Sequence, residues 1–262
     1  MPPTRYYGRD LKNLSAQRKM SRREALKTMA GAASGLALLL GGVGLTESNN
    51  VSAMLTKDAE RIPGEDASLA FVRQYRETIT AAAREYEIPP EFVASLILTE
   101  NQDRSYFEDM KDVLGVAFRR NVSIDVGQIR ISTAMELEGI VYTQERFEEH
   151  YDRIVKQLQQ PDESITLMAQ YSRRLANRRL NSPSAQRILA DPSKFALLAS
   201  LYGSGEGRKE VSGYGLRALS CLVTEPLLGF FDTASREEHP NLVMNAKIYI
   251  GANISTLEQY LK

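Results

Sequence analysis

Cysteine and histidine are nearly absent from this sequence. Its 262 residues include one cysteine, Cys221, and two histidines, His150 and His239. A single cysteine excludes an intramolecular disulfide and a cysteine-rich zinc site. Two histidines are too few to favour a histidine-built metal centre. We therefore expect neither a metal nor another cofactor.

An excess of charge of either sign is lacking as well, since 33 Lys and Arg balance 33 Asp and Glu. The charge is nevertheless unevenly distributed. Residues 1–53 contain 8 basic and 3 acidic residues, so the remainder has 25 basic and 30 acidic residues and a net charge of −5. An acidic body repels the phosphate backbone, so we expect no nucleic-acid binding. With 43% hydrophobic residues, the chain has enough apolar surface for a folded core.

A strongly apolar run long enough for a stable membrane span is missing from the N-terminal region. The run Met29–Leu45 is rich in glycine and alanine, whereas a span needs about 20 strongly apolar residues. It follows Ser21-Arg22-Arg23-Glu24-Ala25-Leu26-Lys27, which resembles a twin-arginine export signal. We expect residues 1–53 to be a cleaved signal peptide, with only transient membrane contact and a periplasmic or extracellular product. A membrane anchor at residues 28–45 is the alternative.

Helical periodicity dominates the rest of the chain. Residues 54–67 are polar and predict a linker, and residues 69–86 predict one amphipathic helix. Strand signals are few, and Ile248–Ile250 is the best short candidate. Residues 213–262 are apolar enough to pack on the core, and we expect this extension to contribute no chemistry. The body is predicted to be mainly α.

A carboxylate on an apolar stripe is the first candidate for chemistry. Pro89 and Pro90 suit the start of a helix. In that helix Val93, Leu96 and Ile97 share one stripe, and Glu100 falls next on it. Desolvation there favours the protonated carboxyl that a general acid needs.

A tight segment and a second helix follow this carboxylate. Gly127 and Gln128 form the predicted turn, and Thr133 and Glu136 have the spacing of a capping box for the next helix. Further along, four arginines are grouped in one predicted helix. A solvated helix face is the simpler interpretation, and a binding site for an anionic polymer is the more specific functional one. The four are Arg173, Arg174, Arg178 and Arg179.

Four sequence blocks occur in the order found in soluble lytic transglycosylases of the lysozyme-like superfamily. Ile97–Asn101 resembles the helix that carries the catalytic glutamate, and Ser123–Ile129 resembles the Gly-Leu-Met-Gln segment. Glu163–Tyr171 resembles the Asn-Ile…Gly-Ala-x-Tyr-Leu helix, and Leu198–Arg208 resembles the Ala-Tyr-Asn-Ala-Gly block. The resemblance implies a mainly α, lysozyme-like domain of the goose-type or lytic transglycosylase kind at residues 68–212. The helical C-terminal extension predicted at residues 213–262 lies outside the resemblance.

The sequence departs from the family pattern at four positions. Asn101 replaces the serine after the glutamate, and Asp125 replaces a glycine. Ser164 replaces an asparagine, and Gly203 replaces the asparagine after the tyrosine, at the loss of one contact. Asp125 matters most, because it adds a charge beside the predicted site.

The resemblance implies cleavage of peptidoglycan glycan strands. Glu100 would protonate the oxygen between MurNAc and GlcNAc and then accept a proton from the sugar's 6-hydroxyl, which gives a 1,6-anhydro product. The residues expected to bind substrate are Gln128, Gly127, Tyr202, Asn101 and Asp125. Tyr202 would also orient the groups around the glutamate. Oligomeric state is not predicted.

Two alternatives remain open. A hydrolytic muramidase needs a second carboxylate about 5–9.5 Å from the first, and Asp103, Glu108, Asp109 and Asp125 are candidates. A non-catalytic protein of the same fold that binds the cell wall is the other alternative. A carboxylate retained at position 100 argues against the latter, because burying a carboxylate without use is costly.

Overall fold

The structure is a computed structural model. It describes residues 65–103, 115–116, 118–124, 126–224, 227, 230–231 and 242–261. The predicted signal peptide at residues 1–53, the alternative anchor at residues 28–45, and Asp125, Glu108 and Asp109 lie outside the described residues.

The chain divides into two units. One comprises Met1–Arg61 and Arg104–Arg120. Its described part is a turn in which the Arg120 N–H donates to the Gly115 carbonyl at 2.7 Å. The other comprises Ile62–Asp103 and Asn121–Lys262.

The second unit is built from helices and one two-stranded ribbon. In order, the described elements are α1 Glu65–Gln74, α2 Arg76–Glu85, α3 Pro90–Asp103, β1 Ser123–Ile124, β2 Ile129–Arg130, α4 Ile131–Leu137, α5 Gln144–Leu158, α6 Pro161–Arg179, α7 Ala185–Ala190, α8 Pro192–Ser204, α9 Gly213–Thr224, α10 Leu242–Ala252 and α11 Ile254–Leu261. The strands β1 and β2 are antiparallel. The mainly α fold class is confirmed. Within the described residues, no helix is long and apolar enough to cross a membrane.

The helix α3 is the centre of the core. Its apolar residues from Phe92 to Leu98 are all inaccessible to solvent, and Ser95 and Thr99 are buried with them. The sequence predicts a single apolar stripe on this helix. In the structure, α1, α2, α6 and α9 pack around α3 and bury it on every side. A helix that is apolar all round requires such a position. Glu100 is half-buried in its last turns.

The helix α9 packs against α3, α8, α10 and α11. A glycine makes the contact with α8 possible. A Cβ atom at Gly215 would lie 2.0 Å from the Ala196 carbonyl oxygen and 2.1 Å from Ser200 Oγ. Leu216, Leu219 and Leu222 are fully buried in consequence. Residues after position 212 therefore share the core with the predicted domain.

Four local predictions are wrong. The first helix begins at Glu65, inside the predicted linker, and the predicted helix of residues 69–86 is two helices, α1 and α2, separated at Tyr75. Ile248–Ile250 is part of α10 rather than a strand. The helical spacing of Leu242 and Ala246 buries both residues, and it outweighs the β-branched run.

The capping-box prediction is the fourth error. The helix α4 begins at Ile131, two residues before Thr133. Its first turn is capped from elsewhere, because the Ser132 N–H donates to Asn121 Oδ1 at 2.9 Å. Asn121 also donates to the Ser132 hydroxyl at 2.8 Å. The start of α4 is thereby fixed to the entry of the β1–β2 hairpin.

Candidate active site around Glu100

Glu100 is held by a tyrosine from a distant part of the chain. The hydroxyl of Tyr214 donates to Glu100 Oε1 at 2.6 Å. Tyr214 lies in the first turn of α9 and is 9% exposed. A hydrogen bond to an ionised carboxylate is roughly twice as strong as one between neutral groups. The contact between α3 and α9 therefore fixes the orientation of the Glu100 carboxyl group.

The ring of Tyr214 lies directly over Gly203. A Cβ atom at Gly203 would be 2.7 Å from Cδ1, 2.8 Å from Cγ and 2.9 Å from Cε1 of that ring. Real Cβ atoms do not approach other atoms so closely. The departure from the family pattern at Gly203 thus has a structural reason, because an asparagine here would displace the tyrosine that holds Glu100.

A second tyrosine connects α8 to the hairpin. The Tyr202 hydroxyl donates to the Gly127 carbonyl oxygen at 2.5 Å. Burial raises the pKa of Tyr202 well above 10.0, and the negative charge of Glu100 and the proximity of Tyr171 raise it further. The hydroxyl therefore remains a proton donor at all ordinary pH values. Glu100, Tyr202 and Gly127 are brought together.

The hairpin itself packs closely on α6. A Cβ atom at Gly127 would lie 2.7 Å from Met168 Cγ and 3.0 Å from Ser164 Oγ, so a larger residue would push the hairpin away. The Ser164 hydroxyl is buried and makes no hydrogen bond within the described part of the chain. Serine in place of asparagine at position 164 leaves room for this contact.

Gln128 has an unusual backbone conformation. Its φ angle is 46°, in the left-handed region that residues other than glycine seldom occupy. It is half-buried and directly follows the carbonyl that Tyr202 holds. Strained backbone of this kind persists where the surrounding structure enforces it, often at functional sites. The hairpin therefore presents Gln128 in one fixed orientation.

The remaining predicted site residues are Asn101 and Asp125. Asn101 is half-buried beside Glu100. Among the described residues, its side chain makes no hydrogen bond to the hairpin. Asp125 lies outside the described residues, so its role as a second carboxylate stays a prediction. No group of metal-ligating side chains occurs in the described ranges.

The arginine cluster of α6 is mostly engaged in contacts within the chain. Arg174 contacts Glu136 at 2.6 Å and Glu206 at 3.5 Å. Arg178 contacts Glu206 at 2.9 Å, and Arg173 contacts Glu87 at 2.6 Å. Arg179 donates to the Arg208 carbonyl at 3.1 Å. The cluster joins α6 to its neighbours, which weakens its interpretation as a site for an anionic polymer.

Tyr171 contacts Tyr202 and is affected by the charges of this ionic network. Its ring centroid lies 5.5 Å from that of Tyr202. Burial raises the pKa of Tyr171, followed by the charge of Glu206, while Arg174 lowers it. Tyr171 is half-buried, so part of its surface faces solvent.

Tyr214 is the site residue that the sequence analysis missed. The segment after residue 212 was expected to contribute no chemistry, but Tyr214 contacts the proposed catalytic carboxylate. One signal was available in the sequence. Tyr214 stands between Gly213 and Gly215, and glycines mark places where backbone approaches other groups closely.

Comparison with known proteins gives two matches. Residues 66–177 match the model of a family described as "T6SS, Peptidoglycan muramidase Tse3, catalytic domain". Peptidoglycan muramidase Tse3 of Pseudomonas aeruginosa is 32% identical over 89 residues, which cover 30% of this chain and 22% of that protein. No solved structure matches the chain significantly.

The matched region contains Glu100, Gln128 and Tyr171 and ends before Tyr202 and Tyr214. The chain spans about a fifth of the length of the curated relative. Both matches support the coarser expectation of a domain that resembles peptidoglycan-degrading enzymes, and they name a muramidase rather than a lytic transglycosylase. Over residues 66–177, this chain is thus similar to the catalytic domain of a peptidoglycan muramidase family.

Proposed function

We propose that this protein cleaves the glycan strands of peptidoglycan, with Glu100 as the general acid. The observation that carries the proposal is the hydrogen bond from Tyr214 to Glu100 at the end of a buried helix. A half-buried carboxyl group that is held in one orientation is suited to proton transfer. The similarity of residues 66–177 to a muramidase family supports the choice of substrate.

The proposed chemistry begins with proton transfer to the leaving oxygen. Glu100 donates its proton to the glycosidic oxygen between MurNAc and GlcNAc, and positive charge develops at the anomeric carbon. Tyr214 fixes the position of the carboxyl group and stabilises the negative charge that Glu100 acquires when it gives up its proton. Tyr202 holds the hairpin through Gly127, so that Gln128 contacts the sugar.

Hydrolysis by water is the favoured completion of the reaction, because both matches are to muramidases. In that mechanism a second carboxylate either attacks the anomeric carbon or activates a water molecule. Asp125 is the candidate for this role, since it stands two positions before Gly127 in the sequence.

Lytic transglycosylation to a 1,6-anhydro sugar is the second candidate. Of the described carboxylates, Glu100 alone raises the pKa of Tyr202 at the centre of the site. Glu136 and Glu206, the other carboxylates near Tyr171, are both paired with Arg174. A reaction in which the sugar's own hydroxyl is the nucleophile needs only Glu100 among the described carboxylates.

Digestion of purified peptidoglycan tests both mechanisms. The protein, Glu100→Gln and the control Glu145→Gln are incubated with murein, and the new sugar ends are identified by mass spectrometry. Glu145 is exposed in the first turn of α5, outside the site. Reducing ends from the unmodified protein and the control, but not from Glu100→Gln, support hydrolysis. Anhydro ends, each one water lighter, support transglycosylation.

Two other outcomes would contradict the proposal. Full activity of Glu100→Gln would exclude this residue as the acid. Binding to murein without cleavage by any form of the protein would instead support the non-catalytic wall-binding alternative.

Export to the cell wall remains a separate prediction. The residues concerned, Arg22 and Arg23, lie outside the described residues. Replacement of both by lysine in the full chain should retain the protein in the cytoplasm if the twin-arginine signal is used. Unchanged export of this variant would refute the signal, and cell fractionation provides the measurement.

A further inference from the structure

Two buried serines connect the start of α9 to the middle of α8. The Ser212 N–H donates to Ser200 Oγ at 2.8 Å, and the Gly215 N–H donates to Ser212 Oγ at 3.3 Å. The Ser200 hydroxyl in turn donates to the Ala196 carbonyl oxygen at 2.6 Å. Ser200 is inaccessible to solvent, and Ser212 is buried as well. The two hydroxyls thus belong to one connected set of hydrogen bonds between the helices.

Ser212 does more than cap α9. Its hydroxyl accepts from the third residue of the helix, and its carbonyl oxygen accepts from the Leu216 N–H at 3.0 Å. These two bonds are those of an ordinary N-cap, which satisfies N–H groups that a helix leaves open. The bond from the Ser212 N–H to Ser200 is additional, because it joins the cap to another helix. It therefore fixes where the first turn of α9 lies along α8.

The position of this turn determines where the Tyr214 hydroxyl lies. Tyr214 follows Ser212 by two residues, and its ring lies over Gly203 of α8. Its hydroxyl, at the far end of a long side chain, donates to Glu100 Oε1 at 2.6 Å. A shift of the backbone would be carried to the hydroxyl, and a misplacement of about 1 Å can reduce a reaction rate about 100-fold. Both the backbone and the ring of Tyr214 are thus located by contacts with α8.

We propose that Ser200 and Ser212 are positioning residues for the catalytic acid. They hold the first turn of α9 where the Tyr214 hydroxyl meets the Glu100 carboxylate, and they act only through Tyr214. The proposal rests on the proposed function and adds two residues to it that do not touch the reacting groups. The alternative is a purely structural role in capping and packing, which would lower stability without a selective loss of kcat.

The chain offers a matched control for each serine. Ser212→Ala is compared with Ser184→Ala, because Ser184 caps α7 by accepting a backbone N–H at 3.4 Å. Ser200→Ala is compared with Ser172→Ala. Ser172 is equally inaccessible and donates to the carbonyl four residues earlier in α6 at 2.7 Å. Each control removes the same kind of bond without a connection to α9, and urea unfolding measures the stability of all four variants.

Ser212→Ala and Ser200→Ala should each lower kcat on soluble glycan strands about 10-fold, because a displaced Tyr214 forfeits a hydrogen bond to a charged group. KM should stay within about twofold, since neither serine contacts substrate. Ser212→Thr keeps the hydroxyl and should restore kcat. In a Tyr214→Phe background, Ser212→Ala should lower kcat no further. Equal losses of kcat in the control variants, or fully additive losses in the double variant, would overturn the proposal. Ser200→Ala provides the test if Ser212→Ala does not fold.

Nuclear magnetic resonance tests the positioning without catalysis. Tyrosines are labelled with carbon-13 at Cζ, and the Tyr214 signal is assigned by its absence from Tyr214→Phe. Glu100→Gln should shift this signal, because the acceptor loses its charge. Ser212→Ala should also shift it, whereas Ser184→Ala should leave it unchanged, and this result supports the positioning role even if no form of the protein cleaves murein. An unchanged signal in Ser212→Ala would refute that role even where cleavage by Glu100 is established.

Discussion

The Tyr214 hydroxyl and the Glu100 carboxylate meet at 2.6 Å, although 114 positions separate them in the chain. The contact requires the first turn of α9 to pack beside the last turns of α3. Gly215 sets the distance of α9 from α8, and Gly203 provides the space for the Tyr214 ring. The orientation of the proposed catalytic acid is thus determined by packing in a region that the matched family model does not reach.

Removal of the Tyr214 hydroxyl should impair catalysis more than binding. We expect Tyr214→Phe to lower kcat about 10- to 100-fold, since a hydrogen bond to a charged group contributes about 1.5–3 kcal/mol. KM should change little, because the ring and its packing remain. Steady-state kinetics on soluble strands provide the measurement. Tyr142→Phe is the control, since Tyr142 is 43% exposed and lies in the segment before α5. An unchanged kcat for Tyr214→Phe would show that the bond does not serve catalysis.

A methyl group at position 203 should have a similar effect by a steric route. We expect Gly203→Ala to displace the Tyr214 ring, reduce activity, and lower the free energy of unfolding by about 1–3 kcal/mol, the usual cost of overpacking. Gly207→Ala is the matched control, because a Cβ atom there would have no neighbour within 4 Å. Urea unfolding and activity assays provide the measurements.

A combined variant tests whether the loss of activity acts through Tyr214. In a Tyr214→Phe background, Gly203→Ala should cause little further loss of kcat, since the hydrogen bond is already absent. Fully additive losses would place the effect of Gly203→Ala elsewhere in the structure.

The sequence reveals the site only in part. Glu100 could be found because it interrupts the apolar pattern of α3, and Gly127 and Tyr202 could be found because they belong to blocks with a recognisable order. Tyr214 has neither signal, since its role depends on how α9 packs. The strand predicted at Ile248–Ile250 failed for a related reason, because packing of α10 on α8 and α9 decides its conformation. Local patterns specify elements, whereas contacts between distant helices complete the site.

Alkaline pH should destabilise the protein through Tyr202. Because the pKa of Tyr202 is raised well above 10.0, its stabilising contribution is fully present below pH 10 and is lost as pH rises further. Above that value the unfolded chain releases the Tyr202 proton while the folded chain retains it, so the free energy of unfolding falls. The slope for one such group is about 1.4 kcal/mol per pH unit.

Tyr202→Phe isolates this contribution. At neutral pH the variant should be less stable by about 1–3 kcal/mol, because the Gly127 carbonyl loses its buried donor. The difference from the unmodified protein should narrow between about pH 9 and about pH 11, since phenylalanine does not titrate. Urea unfolding of both proteins across this pH range measures the difference in their free energies of unfolding. A constant difference across the range would mean that Tyr202 ionises equally in the folded and unfolded chains.

The contact between α8 and α9 should tolerate no side chain at position 215. A Cβ atom there would lie 2.0 Å from the Ala196 carbonyl oxygen, a backbone atom that cannot move without shifting α8. We expect Gly215→Ala to lower the free energy of unfolding by about 3 kcal/mol, the upper part of the range for overpacking. Gly251→Ala, at an exposed position in α10 with open space around it, should instead raise it by about 0.4–1 kcal/mol through the entropy of the unfolded chain. Urea denaturation of the two variants measures both changes in the free energy of unfolding. A stable Gly215→Ala protein would mean that α8 and α9 do not approach as closely as described, and the geometry that positions Tyr214 over Gly203 would then have to change with it.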